Sequence, residues 1–129
     1  MSTAFFRVPK PVNEPIHAYL PGSAERQSLK AELARQSETV VNIPLVIGGK
    51  EIFTDTVIDV VMPHDHGHVL AKCCIAGEKE LKMAVDEALA AKAAWEAMPW
   101  EHRVSIFLKT AELIAGPYRD RLNAATMLG

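Results

Sequence analysis

The sequence predicts an α/β fold in which an extended arm and one helix precede a small set of strands, and three helices follow. Three observations carry this reading. At Glu78 the hydrophobic pattern changes from short β-branched runs to a spacing of three and four residues. Gly48-Gly49 stands between two such runs, as the turn of a hairpin does. Pro99 and Gly116-Pro117 cut the C-terminal pattern into successive helices. The chain has 129 residues, 49% hydrophobic and 23% charged, which suits an ordinary globular protein.

Residues 1–22 read as an extended N-terminal arm. Pro9, Pro11, Pro15 and Pro21 each remove a backbone donor and fix φ. Ser23 caps a helix over 24–36, with Glu25 in its first turn, where the helix dipole favours negative charge. Leu29 and Leu33 give that helix only a thin apolar stripe, so it is expected to ride on the surface. Residues 43–53 form the hairpin, and Val57–Met62 a third strand that Pro63 ends. A polar loop over 64–68 leads into a fourth strand over 69–75. From Glu78, the positions Leu81, Ala84, Val85, Ala88, Leu89, Ala91 and Trp95 define an amphipathic helix of about five turns. Pro99 ends it and opens the next helix, whose stripe of Val104, Phe107, Leu108, Ala111 and Ile114 is expected to be buried. Tyr118, Leu122 and Ala125 begin a third helix, and its pattern still runs at the last residues. Residues 23–129 thus read as one unit behind the arm.

Composition excludes some function classes. The net charge is −2, from 14 basic and 16 acidic residues, with no basic stripe, so neither nucleic acid nor an anionic membrane is an expected partner. The bulky apolar runs Leu45–Ile47 and Val57–Met62 fall far below the roughly 20 residues that span a bilayer. Phe5-Phe6 is too short for a secretory signal, and Val8-Pro9-Lys10-Pro11-Val12 breaks any presequence helix. A cytoplasmic location is the expectation. Cys73 and Cys74 are neighbours on a strand and point to opposite faces, so they are expected to stay reduced.

Each candidate for chemistry has a structural explanation that serves as well. His64-Asp65-His66-Gly67-His68 offers metal-ligand atoms, but alternating residues on one short loop do not converge on a tetrahedron, and only His17 and His102 remain elsewhere. A polar turn accounts for the same residues. Cys73 and Cys74 sit in the apolar strand pattern Val69–Ile75, an environment that does not favour the thiolate a nucleophile needs. Gly48-Gly49-Lys50 lacks the spacing of a phosphate loop, and the glycine fingerprint of a dinucleotide site is absent. Trp95 and Trp100 suit a helix corner as well as a stacking platform. Arg103 with Glu101 or Glu112 would be a surface pair of little weight. No catalytic, cofactor-binding or metal-binding residue is nominated.

A resemblance goes further. Trp95, Pro99, Arg103, Leu108, Ala111 and Leu113 form a pattern that resembles the helical segment of the aldehyde dehydrogenase superfamily ahead of its nucleotide-binding motifs. Several blocks in order narrow it: Asn13-Glu14-Pro15, Pro21-Gly22-Ser23-Ala24-Glu25-Arg26, Pro44 through Gly49, and Pro63-His64-Asp65-His66-Gly67-His68. Phe107-Leu108-Lys109, Gly116-Pro117-Tyr118-Arg119 and residues 123–129 continue the series. These are similar to the pyrroline-5-carboxylate dehydrogenase family, over nearly the whole chain from residue 13.

The resemblance implies the N-terminal portion of a Rossmann-like NAD-binding domain, incomplete as it stands. It implies a parent enzyme that oxidises L-glutamate γ-semialdehyde to L-glutamate with NAD, in proline degradation, and that assembles as a homo-oligomer. A cysteine thiolate and a glutamate base carry the chemistry in that family. Both, with the NAD contacts, are expected beyond Gly129, so the chain alone is expected to be inactive and to expose apolar surface. Two alternatives stand beside this: a free-standing interaction module, and a small metal-binding protein.

Overall fold

The computed structural model describes residues 5–129; the first four residues of the expected arm lie outside the described residues. Nine elements follow the arm: α1 (Ala24–Ser37), β1 (Val41–Ile43), β2 (Leu45–Ile47), β3 (Lys50–Ile52), β4 (Val57–Met62), β5 (Asp65–Cys74), α2 (Glu78–Ala97), α3 (Trp100–Ala115) and α4 (Arg119–Leu128).

The helix boundaries follow from local chemistry. The Ser23 hydroxyl accepts from the backbone N–H of Arg26 and opens α1. Glu80 opens α2 by folding back to accept from the Gly77 N–H at 2.9 Å. Pro99 stands just before α3, where its missing donor costs nothing. A hydrogen bond from the Gly116 N–H to the Glu112 carbonyl, 3.0 Å, closes α3.

The strands differ from the sequence reading in two ways. The hairpin forms as β2 and β3 alone, paired antiparallel around Gly48-Gly49, both at positive φ. Val41–Ile43 instead forms β1, which pairs in parallel with residues 71–73 of β5. β5 is also longer than expected. It starts at Asp65, so the turn after β4 shrinks to Pro63-His64 and four residues of the expected loop, 65–68, lie in a strand. Asp65 favours this by accepting from the Gly67 N–H at 3.2 Å. The resulting three-stranded sheet has the order β1-β5-β4, and the antiparallel β4–β5 ladder shifts register around Val61. Asp59 lies opposite Lys72, and the two form a 2.8 Å ion pair across the strands.

α1 rides on the surface as expected, with no buried residue. It packs on α4, where Ser28 donates to Asp120 and Gln36 donates to the Arg121 carbonyl at 2.9 Å. Ala124, on α4, is fully buried. The arm is without helix or strand over residues 5–20, as its prolines predict. It is pinned to α4 by Arg119, which donates to the Pro15 carbonyl at 2.7 Å, and by Asn123, which donates to the Tyr19 hydroxyl at 3.2 Å. Arg26 donates to the Tyr19 carbonyl and holds that residue at φ 50°.

Little else is buried. Among the described residues, the buried apolar ones are Met62, Ala71, Cys74 and Ala124. The expected buried stripe of α3 is open: Phe107 is 67% exposed and Ile114 52%. On α2, Leu81, Val85 and Leu89 share one face and are 61%, 57% and 64% exposed. The total accessible surface is 10312 Å². A compact monomer of 14.1 kDa exposes roughly 6,700 Å². The extended arm and the open faces of α2 and α3 both contribute to the excess.

Candidate functional site

The histidine cluster does not converge. His64 and His66 are exposed, while His68 is half-buried and bonded through Nε2 to the Ser37 carbonyl at 2.8 Å. That contact ties β5 to the last turn of α1, where orphan carbonyls need a partner. Among the described residues, no group of three His, Cys, Asp or Glu side chains is placed to hold a metal ion.

Both cysteines are free thiols on β5, the central strand of the sheet. Cys74 is buried, and its sulfur accepts from the Thr54 N–H at 3.5 Å; Cys73 donates to the Cys74 carbonyl at 3.7 Å. Neither lies at a helix N-terminus.

A dinucleotide needs a helix N-terminus free to receive its pyrophosphate. None of the four helices offers one. Each carries acid in its first turn: Glu25, Glu78 with Glu80, Glu101 and Asp120. At the one strand-to-helix passage, from β5 to α2, the Glu80 carboxylate already occupies the Gly77 N–H. The Gly48-Gly49 turn is no better, because the Glu87 carboxylate lies against it. A cavity of about 230 Å³ between α1, α4 and the sheet is lined by Arg35, Val41, Leu70, Arg121 and Leu128. That is smaller than the roughly 300–1,000 Å³ of cofactor sites, whereas a groove of about 920 Å³ opens between the arm and α3–α4, lined by Val8, Pro11, Leu108, Ile114 and Arg119. Among the described residues, no glycine-rich turn leads from a strand into a helix N-terminus.

The helix corner is where the sequence candidates do meet. Arg103 stands over the Trp95 ring, 6.0 Å from its centroid. Its Nε is buried and has no hydrogen-bond partner among the described residues. Glu112 pairs instead with Lys109 at 3.2 Å. Trp100 remains half exposed one turn before Arg103.

One charged cluster escaped the sequence reading. On α1, Arg35 and Gln36 both donate to Glu32. The Arg35 hydrogen bond, then that from Gln36, lowers the Glu32 carboxyl to about 2, and Glu32 in turn raises Arg35. The spacing of three and four residues was the available signal. The anchoring of the arm by Arg119 and Asn123 left no such signal.

Comparison with known proteins places the chain. Residues 52–128 match the model of the aldehyde dehydrogenase family. The chain is 44% identical over 127 residues to a delta-1-pyrroline-5-carboxylate dehydrogenase of Agaricus bisporus, covering 98% of this chain and 23% of that protein. It is 40% identical over 120 residues to the mitochondrial human enzyme of the same name, covering 93% and 21%. In structure it resembles the Delta-pyrroline-5-carboxylate dehydrogenase of Mycobacterium tuberculosis, solved with NAD and cobalamin. There the TM-score is 0.95 at 42% identity, covering 99% of this chain and 24% of that one. The chain therefore spans about a quarter of the length of these relatives. By the family model and by these relatives together, this chain belongs to the aldehyde dehydrogenase family.

Proposed function

We propose that these residues are the leading part of the NAD-binding domain of a pyrroline-5-carboxylate dehydrogenase. The arm spans 1–22 and the domain portion 23–129. The parent enzyme oxidises L-glutamate γ-semialdehyde to L-glutamate, and NAD accepts the hydride. The carrying observation is the 44% identity to a protein of that name across 98% of the chain. The TM-score of 0.95 to a relative solved with NAD supports it.

In this reading the chain builds scaffold. The catalytic cysteine, the glutamate base and the NAD contacts belong to polypeptide outside these residues. Cys73 and Cys74 do not substitute for that cysteine, since both belong to the ladders of β5. The open stripes of α2 and α3 meet the dinucleotide-binding sheet, and burying one such side chain contributes about 1.5–3 kcal/mol. The parent is a homo-oligomer. It is cytoplasmic in a bacterial cell and lies in the mitochondrial matrix of a eukaryotic one. Among the described residues, no helix is long and apolar enough to cross a membrane.

A chimera tests the proposal. Residues 1–129 replace the matching segment of the M. tuberculosis relative, and NAD reduction is followed with glutamate semialdehyde. Activity within about tenfold of that relative is expected, as is none from the 129-residue chain alone. A soluble chimera without activity, or turnover by the short chain, overturns the reading.

A further inference from the structure

The arm is held at one end only. Among the described residues, its hydrogen bonds to α4 and to the Arg26 side chain fall at Pro15 and Tyr19, and residues 5–14 make none to the helices. Apolar burial does not hold it either, since Phe5, Val12, Ile16 and Leu20 face solvent. Just beyond Tyr19 the chain is fixed. Leu20-Pro21-Gly22-Ser23 is a type II turn, closed by the Ser23 N–H on the Leu20 carbonyl at 3.0 Å, with Gly22 at φ 82°. Gln27 donates to the Gly22 carbonyl at 3.1 Å and Ser23 caps α1, so the turn moves with that helix.

Between this turn and the arm stands Tyr19, the one non-glycine residue at positive φ among the described residues. A bulky side chain avoids that conformation, at a cost comparable to what one hydrogen bond returns. Tyr19 is held there from two helices at once. Arg26 of α1 donates to its carbonyl at 3.2 Å, and Asn123 of α4 donates to its hydroxyl at 3.2 Å. The His17 ring meets the phenol edge-on, with 5.8 Å between centroids. Relaxing φ to a negative value turns the carbonyl and the phenol away together, and carries Pro15 off Arg119. The bonds therefore form and break as a set, and the stiff proline-rich arm moves as one body.

We propose that Tyr19 is the clasp of a two-position strap. Closed, the arm is one wall of the groove of about 920 Å³ that Leu108, Ile114 and Leu122 line from α3 and α4. Open, Tyr19 has relaxed to negative φ, the arm is free, and those three side chains face water. Because strain and bonds nearly balance, the loss of one bond opens the strap.

The test is ¹⁵N relaxation on the 129-residue chain and its variants. In the unaltered chain the amides of Val12, Ile16 and His17 should have order parameters of about 0.85, and in Tyr19→Phe all three should fall below about 0.6. Asn123→Ala should free the same residues, and the two substitutions together should do no more than either alone. The methyl signals of Leu108, Ile114 and Leu122 should shift in each variant. Far-ultraviolet dichroism should stay as it was, because α1 and α4 keep their bonds through Ser28 and Gln36. Loosening confined to Tyr19, or effects that add, would make the contacts independent and overturn the strap. So would an arm already loose in the unaltered chain, groove signals indifferent to the arm, or loss of helix in Tyr19→Phe. An unaltered chain without ordered α1 and α4 overturns it as well, since the clasp then has no frame.

Discussion

The two halves of this molecule use the same residue types in opposite ways. In the half built from α1, α4 and the sheet, a few apolar side chains find full cover. Ala124 is sealed between helices, Met62, Ala71 and Cys74 are buried in the β4–β5 ladder, and polar groups such as Gln36 and His68 stitch the elements together. In the half built from α2 and α3, equally apolar stripes face outward. Helical periodicity is clearer in the second half, since α1 carries only the thin stripe of Leu29 and Leu33. What differs is whether a second surface lies opposite. Amphipathic spacing reports which face of a helix seeks cover, and says nothing about where the cover comes from.

This contrast is open to test by substitution, and the largest effect belongs to the closed half. Ala124→Leu forces new volume between α1 and α4, and should destabilise that unit by about 1–3 kcal/mol, read as a lower urea midpoint in far-ultraviolet dichroism. Next comes the hairpin that leans on α2. Gly48 has φ of 57°, and a Cβ there would stand 2.7 Å from the Glu87 carboxyl carbon. Gly48→Ala should cost about 1 kcal/mol or more. Adding Glu87→Ala should recover the steric part and leave the backbone part. Gly49→Ala has open space around it, so it should show only the backbone part.

The open half should respond in a different currency. Replacing Leu81, Val85 and Leu89 together by serine should move the urea midpoint little, each site lying within about 0.5 kcal/mol. The same triple variant should markedly reduce binding of a hydrophobic dye, which the unaltered chain is expected to bind. A large loss of stability with no change in dye binding would break the comparison.

The smallest effect is electrostatic. The Glu32 carboxyl falls from 4.5 to about 2 in the folded chain. Its contribution is therefore complete above pH 4.5 and lost as pH drops towards 2. The pair is solvent-exposed, so the contribution is slight and screened by salt. Glu32→Gln should flatten the acid limb of the stability curve for α1 and α4. An unchanged limb would remove Glu32 from the account.

Much of the fold was legible in residues that punctuate the chain. Ser23, Gly48-Gly49, Pro99 and Gly116-Pro117 marked boundaries that the structure keeps. The misses share a cause: each depends on a distant partner. Val41–Ile43 became a strand because β5 offers it a parallel edge, which no local pattern announces. β5 begins at Asp65 because the residues after Pro63 complete the ladder with Met62. α1 packs on α4 through Gln36 and Ser28, polar residues that a hydrophobic stripe does not count. The α3 stripe was expected to be buried because Phe107 and Ile114 repeat like core residues, yet among these residues nothing covers them. Of the candidate chemistry, the sequence offered Arg103 and Trp95 only as ordinary surface and filler. The unpaired Nε that sets Arg103 apart exists only in three dimensions.

Amide hydrogen exchange along α2, Glu78–Ala97, in the 129-residue chain and in the chimera tests the central claim most directly. If remaining polypeptide of the enzyme covers this helix, its amides should exchange at least about a hundredfold slower in the chimera, while those of the β4–β5 ladder change little. Equal protection of α2 in both proteins would contradict the claim, because the helix would then hold its fold without the cover assigned to it.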